Sequence, residues 1–377
     1  MVRRTALLIL FLLLIIPSLK IYSEDNLVVP DEYNDLLDSI PDDIRELLPD
    51  EIFSSNSNEI EAGTKKLIDW NFIIEFVFDT IGLNIKEIIK AFATILSILM
   101  LCSLLNMFQH TIKNKALESA IRLITGLALI TSIVKLSNAP ITNSIQLLNN
   151  IKLFVNTISP TISVMYAMGG NISTALVHNY GLIVFLSIIE NICVISLEII
   201  VGVCLSLTFA SSFLDEGNLI ALCNSIKKVF SFFIGFIMLI FTTIISTQTL
   251  LSTKSENIST KAAKMIATQI IPLVGSTVGE TLRTAGASIE YLRSNVGVII
   301  IVIFILMILP TLISVSLYRI VFSISNSFAD LLSCKREGRI ILEISSILGY
   351  VLAIISICSI SLLLLITIFT KCASPLS

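Results

Sequence analysis

Long apolar runs, each near the length needed to cross a bilayer, constrain the fold of this chain more than any other feature. Seven such runs, rich in Ile, Leu, Val and Phe, follow one another between residues 88 and 370. A helix needs about 20 apolar residues to cross the hydrocarbon, where every backbone polar group must be satisfied within the segment. The sequence therefore predicts an all-α, polytopic transmembrane helical bundle, with spans at 88–108, 117–137, 151–169, 178–210, 228–251, 296–318 and 344–370.

Composition agrees with a membrane protein. Of the 377 residues, 55% are hydrophobic and 14% charged, and the mean hydropathy is +0.92. A soluble domain carries roughly 25% charged residues. The net charge of −3 is too small to attract nucleic acid, and the chain has no run of Lys and Arg. We therefore expect membrane lipid, and not nucleic acid, as the surroundings of most of the chain.

The motifs of common enzymes are missing from the sequence. There is no GxxxxGK[ST] loop and no HExxH pair, and the two histidines, His110 and His178, stand far apart. The seven cysteines form no CxxC pair, and most lie in apolar runs, where a thiol behaves as a small hydrophobe. We therefore predict that the protein is not an enzyme and binds no cofactor or metal.

The N-terminal region is expected to lie outside the cytoplasm. Residues 1–23 are typical of an export signal, because Arg3 and Arg4 precede a short apolar run. The same residues would also fit an uncleaved anchor. Residues 24–63 are acidic and water-compatible, with two predicted short helices. This extracytoplasmic helical segment is too small for a sizeable core of its own.

Residues 64–90 predict an amphipathic helix. Apolar side chains recur every three or four positions from Leu67 to Ile88, with charged residues between them. Such a helix can lie in the membrane interface. It can equally pack on the protein's own membrane domain, which we assign to 88–370.

Charge distribution predicts an eighth crossing. With the N-terminal region outside, the basic loop near Lys113 and the loop 252–264 both fall inside, as the positive-inside rule requires. The basic residues between Arg319 and Arg339 fall inside only if 265–294 also crosses. We therefore expect seven or eight spans in total.

Residues 257–295 do not resemble a lipid-facing helix. A proline interrupts the helical pattern, two glycines follow at a four-residue spacing, and opposite charges stand three residues apart. The segment is either a broken span or a re-entrant hairpin, buried in protein or lining a water-filled path. The alternative is a cytoplasmic hairpin that touches no solute. The candidate pathway or buried-interface residues here are Pro272, Gly275, Gly279, Glu280 and Arg283.

A second polar stripe lies in the predicted span 178–210. Glu190, Asn191 and Glu198 share about one third of the helix circumference. Carboxylates at membrane depth are unfavourable unless they face protein or water. The stripe is therefore either a lining that responds to protons or cations, or a neutral hydrogen-bonded group that fixes helix packing.

Several short sequences carry a family pattern. They are Ser246-Thr247-Gln248, Lys261-Ala262-Ala263-Lys264, Ile271-Pro272-Leu273-Val274-Gly275, Ser288, Ser294-Asn295-Val296-Gly297 and the N-terminal run from Pro41 to Pro49. Together they resemble the stage III sporulation protein AE family. The family often has acidic residues after its Pro-x-x-Gly turn, where this chain has Gly279 and Glu280.

The resemblance implies a role in endospore formation in a Firmicute. In that family the protein is a multi-pass component of the complex that joins mother cell and forespore, placed in the mother-cell membrane around the forespore. The implied partners are other proteins of the stage III sporulation A operon, including an ATPase and ring-forming proteins, and indirectly stage II sporulation protein Q. The implied function is part of a transport channel or secretion-like apparatus. A structural membrane scaffold for the ring proteins and an ion-coupled carrier are the alternatives.

Overall fold

The computed structural model of the protein is almost entirely helical over the residues it describes. These are 37, 40, 45, 48–54, 57–109, 115–168, 180–181, 183–185, 187–211, 218–270 and 275–372, and the description of side chains excludes 252–295 and some shorter stretches. No strand occurs among them. The predicted signal at 1–23 and the first of the two short helices predicted in 24–63 lie almost wholly outside the described residues.

Seven long helices make up the described fold, preceded by a short 3-10 turn and interrupted by a π-helical segment. The 3-10 turn is Asp50–Phe53 and the π-helical segment is Ile189–Val194. The α-helices are α1 Ser57–Ile68, α2 Trp70–Gln109, α3 Lys115–Met168, α4 Ile195–Ser211, α5 Asn218–Ile270, α6 Gly275–Leu331 and α7 Lys335–Cys372.

The predicted all-α membrane bundle is confirmed. Six helices in the described part of the chain are long and apolar enough to cross a membrane: Trp70–Met107, Leu123–Pro160, Asn191–Ser211, Leu219–Gln248, Val296–Leu331 and Lys335–Thr367. The spans predicted at 117–137 and 151–169 belong to the single helix α3. The polar middle of α3 stays helical and forms no loop, although Pro140 lies there. A proline inside a long helix can kink the helix without ending it.

Helix α6 changes the interpretation of the polar segment. Residues 275–294 continue without interruption into the span at 296–331, in a helix of 57 residues. A helix of that length measures about 85 Å, more than twice a bilayer's thickness, but it cannot cross the same membrane twice. The structure describes residues 265–270 as the end of α5 and 275–294 as the beginning of α6, and the predicted eighth crossing over 265–294 stays a prediction.

The predicted amphipathic helix 64–90 is divided in two. Helix α1 ends at Ile68 and α2 begins at Trp70. Asp69 separates them, and its carboxylate accepts a hydrogen bond from the backbone N–H of Asn71 at 3.4 Å, as an N-cap residue does. Residues 70–90 thus belong to the same helix as the first predicted span, and their position at the membrane interface stays a prediction.

The N-terminal helix α1 packs onto the membrane helices. It contacts α6 and α2, and its inner face buries Ile60, Thr64 and Leu67. Lys66 forms an ion pair with Glu51 of the preceding 3-10 turn. These contacts cover the apolar side of α1, and the packing of the rest of segment 24–63 stays a prediction.

Helices α6 and α7 form an antiparallel hairpin at the centre of the bundle. Every residue from 296 to 309 of α6 is buried, and Phe304 stacks on Phe154 of α3 with ring centroids 6.3 Å apart. The turn between them is tight: Ser333 has a φ of 59°, and the N–H of Cys334 bonds the carbonyl of Ala329 at 2.8 Å. This is a Schellman end with serine where glycine is usual.

The remaining helices surround this hairpin and expose much of their apolar surface. In α5, for example, Phe232, Phe233, Phe236 and Leu239 are all more than half exposed. Lipid acyl chains are as apolar as these side chains. The arrangement therefore suits a bundle whose outer helices face lipid and whose central hairpin faces only protein.

Candidate functional site

The structure places the described part of the predicted stripe on the outside of the bundle. Asn191 lies in the π-helical segment, and its amide donates hydrogen bonds to the carbonyl and hydroxyl oxygens of Ser187 at 3.0 and 3.2 Å. Asn191 and Glu198 are both exposed. The side chain of Glu190 lies outside the described residues, although its backbone belongs to the π-helical segment. A functional role for this stripe stays a prediction.

The residues predicted in 257–295 are described by backbone alone or not at all. Gly275, Gly279, Glu280 and Arg283 lie in the first turns of α6, and their side chains are outside the description. Pro272 belongs to 271–274, which is also outside it. Their contact with a solute path stays a prediction.

A charged cluster that we did not predict lies inside the bundle, where α5 meets α7. Lys227 of α5 and Glu343 of α7 form an ion pair, and they are 5% and 3% exposed. Lys227 also donates a hydrogen bond to the hydroxyl of Ser346 at 2.7 Å. Both charged residues lie within helices long and apolar enough to span a membrane.

A fourth side chain, that of Asn224, completes a ring of hydrogen bonds in the cluster. Ser346 donates a hydrogen bond to Oδ1 of Asn224 at 3.1 Å, and Nδ2 of Asn224 donates to Oε2 of Glu343 at 3.4 Å. Each carboxylate oxygen therefore has a donor, and the ammonium has two acceptors. A buried ion pair offsets its desolvation only when such additional hydrogen bonds satisfy its remaining polar atoms.

Helix geometry explains how two short sequences build this cluster. Asn224 and Lys227 stand three residues apart on α5, and Glu343 and Ser346 stand three residues apart on α7. Residues at that spacing share a helix face. When the two helices pack in parallel, the two faces meet and the four polar groups come together.

Further polar groups continue from this cluster along the same side of α7. The hydroxyl of Tyr350 donates to Ser196 of α4 at 3.4 Å, and the thiol of Cys358 donates to Cys193 at 3.2 Å. From Glu343 to Cys358 is 15 residues, or about 22 Å of helix, most of the thickness of the hydrocarbon. We call the contacts of Glu343, Ser346, Tyr350 and Cys358 with α4, α5 and the π-helical segment the polar seam.

The π-helical segment shapes the far end of the polar seam. It provides Cys193, and Ser196 follows one turn later, its hydroxyl bonded to the carbonyl of Cys193 at 3.0 Å. A π-helical turn is rare and occurs often at functional sites. The seam is thus lined on one side by a helix whose backbone departs from regular geometry at membrane depth.

Sequence reasoning missed the cluster because of where it placed the span ends. The predicted spans began at 228 and 344, one residue after Lys227 and one after Glu343, so both charges were assigned to water. The usable signal was the spacing: each charge has an uncharged polar residue three positions away, on the face that continues into the apolar run.

The chemistry of the site is charge and hydrogen bonding. The described residues contain no group of three or more His, Cys, Asp or Glu side chains that could hold a metal ion. Six cysteines in the described part of the chain are buried free thiols. The arrangement can hold a paired positive and negative charge inside the membrane helices, or exchange that pairing for contact with water or a solute.

Comparison with known families assigns most of the chain. The family model described as stage III sporulation protein AE matches residues 53–373. The comparisons match no curated protein and no solved structure. The matched region includes all seven helices and the whole polar seam, and it confirms the resemblance seen in the sequence. The chain therefore belongs to the stage III sporulation protein AE family, and is a membrane protein associated with sporulation.

Proposed function

We propose that the protein is a membrane component of a transport channel, or secretion-like apparatus, in the complex that connects mother cell and forespore. It resides in the mother-cell membrane around the forespore, with its N-terminal region outside the cytoplasm. Its partners are the other proteins of the stage III sporulation A operon, among them an ATPase and ring-forming proteins. Family membership supports the sporulation role, and the polar seam supports transport.

The observation that carries the transport proposal is the buried Lys227–Glu343 pair. Apolar residues of similar volume hold two helices together at least as well as an ion pair, often better by 1–4 kcal/mol. Charges inside membrane helices are rare, and they commonly mark substrate or ion pathways. A closed polar cluster at the α5–α7 contact is therefore better explained by function than by packing.

We infer that the cluster is the closed state of a gate. With Lys227 and Glu343 paired, α5 and α7 are held together and the seam excludes water. Separation of the two helices would leave both charges bare in hydrocarbon, so it is favourable only if water or a polar solute enters. Work done by the partner ATPase on the membrane domain would provide that separation.

The test replaces both charges with methionine. In a spore-forming host that lacks its own copy, Lys227→Met/Glu343→Met leaves no unpaired charge, so the protein should reach the membrane at the wild-type level. We expect heat-resistant spores to be largely lost nevertheless. Without the two charges, the contact between α5 and α7 has no polar groups to receive water or a polar solute when the helices separate. Immunoblots of membrane fractions and co-purification of the operon partners measure assembly in the same cells.

A matched control changes a buried polar group outside the seam. Thr242 of α5 is 8% exposed, and its hydroxyl makes no hydrogen bond among the described residues. Thr242→Val keeps its shape, so spore yield should be unchanged. Normal spore yield in the methionine double variant would contradict the gate and support a structural scaffold for the ring-forming partners.

A further inference from the structure

Two charged side chains lie on the outer surface of the bundle at membrane depth. Glu198 of α4 and Lys228 of α5 are both exposed, and each lies within a candidate span, Asn191–Ser211 and Leu219–Gln248. Neither forms an ion pair within the described part of the chain. They are distinct from the buried Lys227–Glu343 pair of the polar seam.

The surroundings of these two charges are apolar. Glu198 lies between exposed Ile195, Ile199 and Val203, and Lys228 precedes exposed Val229 and Phe232. A charged side chain at the centre of a membrane helix is unfavourable unless it is paired or reaches water. Two such charges of opposite sign on one lipid-facing surface would be stabilised by a cover that pairs them.

The contacts of the polar seam fix the relative depth of the two charges. Helix α4 runs antiparallel to α7, because Cys193 contacts Cys358 and Ser196 contacts Tyr350. The two contacts place Glu198, two residues beyond Ser196, between the levels of residues 348 and 353 of α7.

Helix α5 runs parallel to α7. Lys227 contacts Glu343 and Ser346, and further along a side chain on Gly235 would touch Ile357 at 3.6 Å. These contacts place Lys228 between the levels of residues 344 and 350 of α7. The ranges for the two exposed charges overlap, and their midpoints lie within about one helical turn of each other, a difference that the long lysine side chain can span.

We propose that this surface binds a second copy of the same chain, forming a two-fold symmetric dimer in the membrane. With the symmetry axis along the membrane normal, both copies lie at equal depth. Glu198 of each copy then pairs with Lys228 of the other, and α4 of one packs against α5 of the other. Such a self-complementary patch is the signature of an isologous interface.

Three properties of the surface fit this occupant. Helices α4 and α5 pack against each other, so one surface carries both charges, as an isologous contact requires. Gly202 has open space around it, and Ser206 turns its hydroxyl back to the carbonyl of Gly202 at 2.9 Å. Small residues four apart, with their polar atoms satisfied, let a neighbouring helix approach closely.

The experiment measures the oligomeric state of the full-length protein in lipid nanodiscs or vesicles, by single-molecule photobleaching across a range of protein-to-lipid ratios. We expect wild type to dimerise. Glu198→Lys and Lys228→Glu should each weaken the dimer by roughly tenfold or more, because each places like charges opposite one another at two symmetric sites. The exchange Glu198→Lys/Lys228→Glu should restore it, since the opposite charges meet again.

The exposed Lys135 of α3 gives the matched control. It lies in another candidate span, on a helix that carries neither Glu198 nor Lys228, so Lys135→Glu should leave the dimer unchanged. Circular dichroism of each variant checks that the helices remain folded. A monomeric wild type would overturn the proposal, and so would a ring of three or more copies, or an exchange variant that stays as weak as the single variants while folded.

Discussion

The central hairpin and the outer helices are both apolar but have opposite surroundings. In the span Val296–Leu331, 89% of the most apolar stretch is buried inside the protein, whereas in Leu219–Gln248 the share is 28%. In water, a helix that is apolar on all sides must be buried. In a membrane it can be buried or face lipid, so apolar character does not tell the inside of this bundle from its outside.

The direction of the charged side chains distinguishes the inside of the bundle from the outside. On α5, adjacent lysines take opposite sides: Lys227 is buried against Glu343 and Lys228 is exposed. On α4 and α7, the carboxylates divide in the same way, Glu198 outward and Glu343 inward. The direction of a charge within the bundle, decided by helix rotation, is therefore what separates the polar seam from the outer surface.

The largest expected effect compares the two adjacent lysines. Lys227→Met leaves the Glu343 carboxylate buried without its partner, which should lower the free energy of unfolding by about 3–5 kcal/mol. Lys228→Met should change it by less than about 0.5 kcal/mol in a dilute, monomeric sample, since an exposed site loses no packed contact. Unfolding by increasing sodium dodecyl sulfate, followed by circular dichroism, measures both. Equal losses would break the distinction between inner and outer faces.

Phenylalanines test the same distinction without charge. Phe304 is fully buried and stacks on Phe154, whereas Phe232 is 72% exposed. Phe304→Ala should cost about 3 kcal/mol, the lower end for such a change, because lipid removes the transfer term but leaves the cavity. Phe232→Ala should be nearly neutral to folding. The same unfolding assay measures both variants. A large loss of stability in Phe232→Ala would show that this side chain packs against protein and not against lipid.

Glycines give a smaller effect of the same kind. An added Cβ at Gly338 of α7 would lie 2.9 Å from Oδ1 of Asn326 and 3.1 Å from Cβ of Ala329, but at Gly202 of α4 it would meet open space. Gly338→Ala should destabilise by about 1 kcal/mol through overpacking. Gly202→Ala should be neutral or stabilising by up to about 1 kcal/mol, since alanine is the better helix former. The unfolding midpoint of Gly338→Ala should lie below that of Gly202→Ala, and comparison of the two midpoints tests this.

The smallest effect lies outside the membrane helices, in the Glu51–Lys66 pair. The hydrogen bond from Lys66 lowers the pKa of the Glu51 carboxyl below its ordinary value. A lowered folded-state pKa gives stability that is present above the unfolded pKa, about 4.3, and is lost as pH falls through the folded value. Wild type should therefore be slightly more stable than Lys66→Met at pH 7, and the two melting curves should converge below about pH 4.

A difference between those two curves that persisted at low pH would mean that Lys66 acts through packing of its side chain. The same experiment on Lys65→Met gives a comparison, because Lys65 pairs with Glu61 within the one helix, at 2.5 Å. The Lys65–Glu61 pair lies within α1 and does not join α1 to the 3-10 turn. Lys65→Met should therefore leave the contact between α1 and the turn intact.

The sequence predicted the family and the helical membrane fold because both depend on local properties. Apolar runs of sufficient length and the short motifs around Lys261 and Pro272 need no knowledge of the neighbours. The break at Asp69 was missed because the apolar period continues through it. The two spans predicted at 117–137 and 151–169 belong to one helix because polar residues on a long helix can protrude from the membrane and remain helical.

The candidate site was predicted less well, and for a definite reason. Glu198 of α4 and Asn191 of the π-helical segment were recognised as polar residues in an apolar run, and both are exposed. Lys227 and Glu343 stood at predicted span ends, and only the length of α5 and α7 shows that they lie within them. Their pairing joins two residues that stand 116 positions apart in the sequence.

The sequence by itself determined that this chain is helical, lies in a membrane and belongs to a sporulation family, because hydropathy and motifs are properties of consecutive residues. The tertiary structure alone decided which helices form the centre, which lysine of the pair 227–228 faces inward, and which glutamate it meets. In lipid, both sides of a helix are apolar, so burial follows from packing between distant helices and not from the solvent preference of each residue.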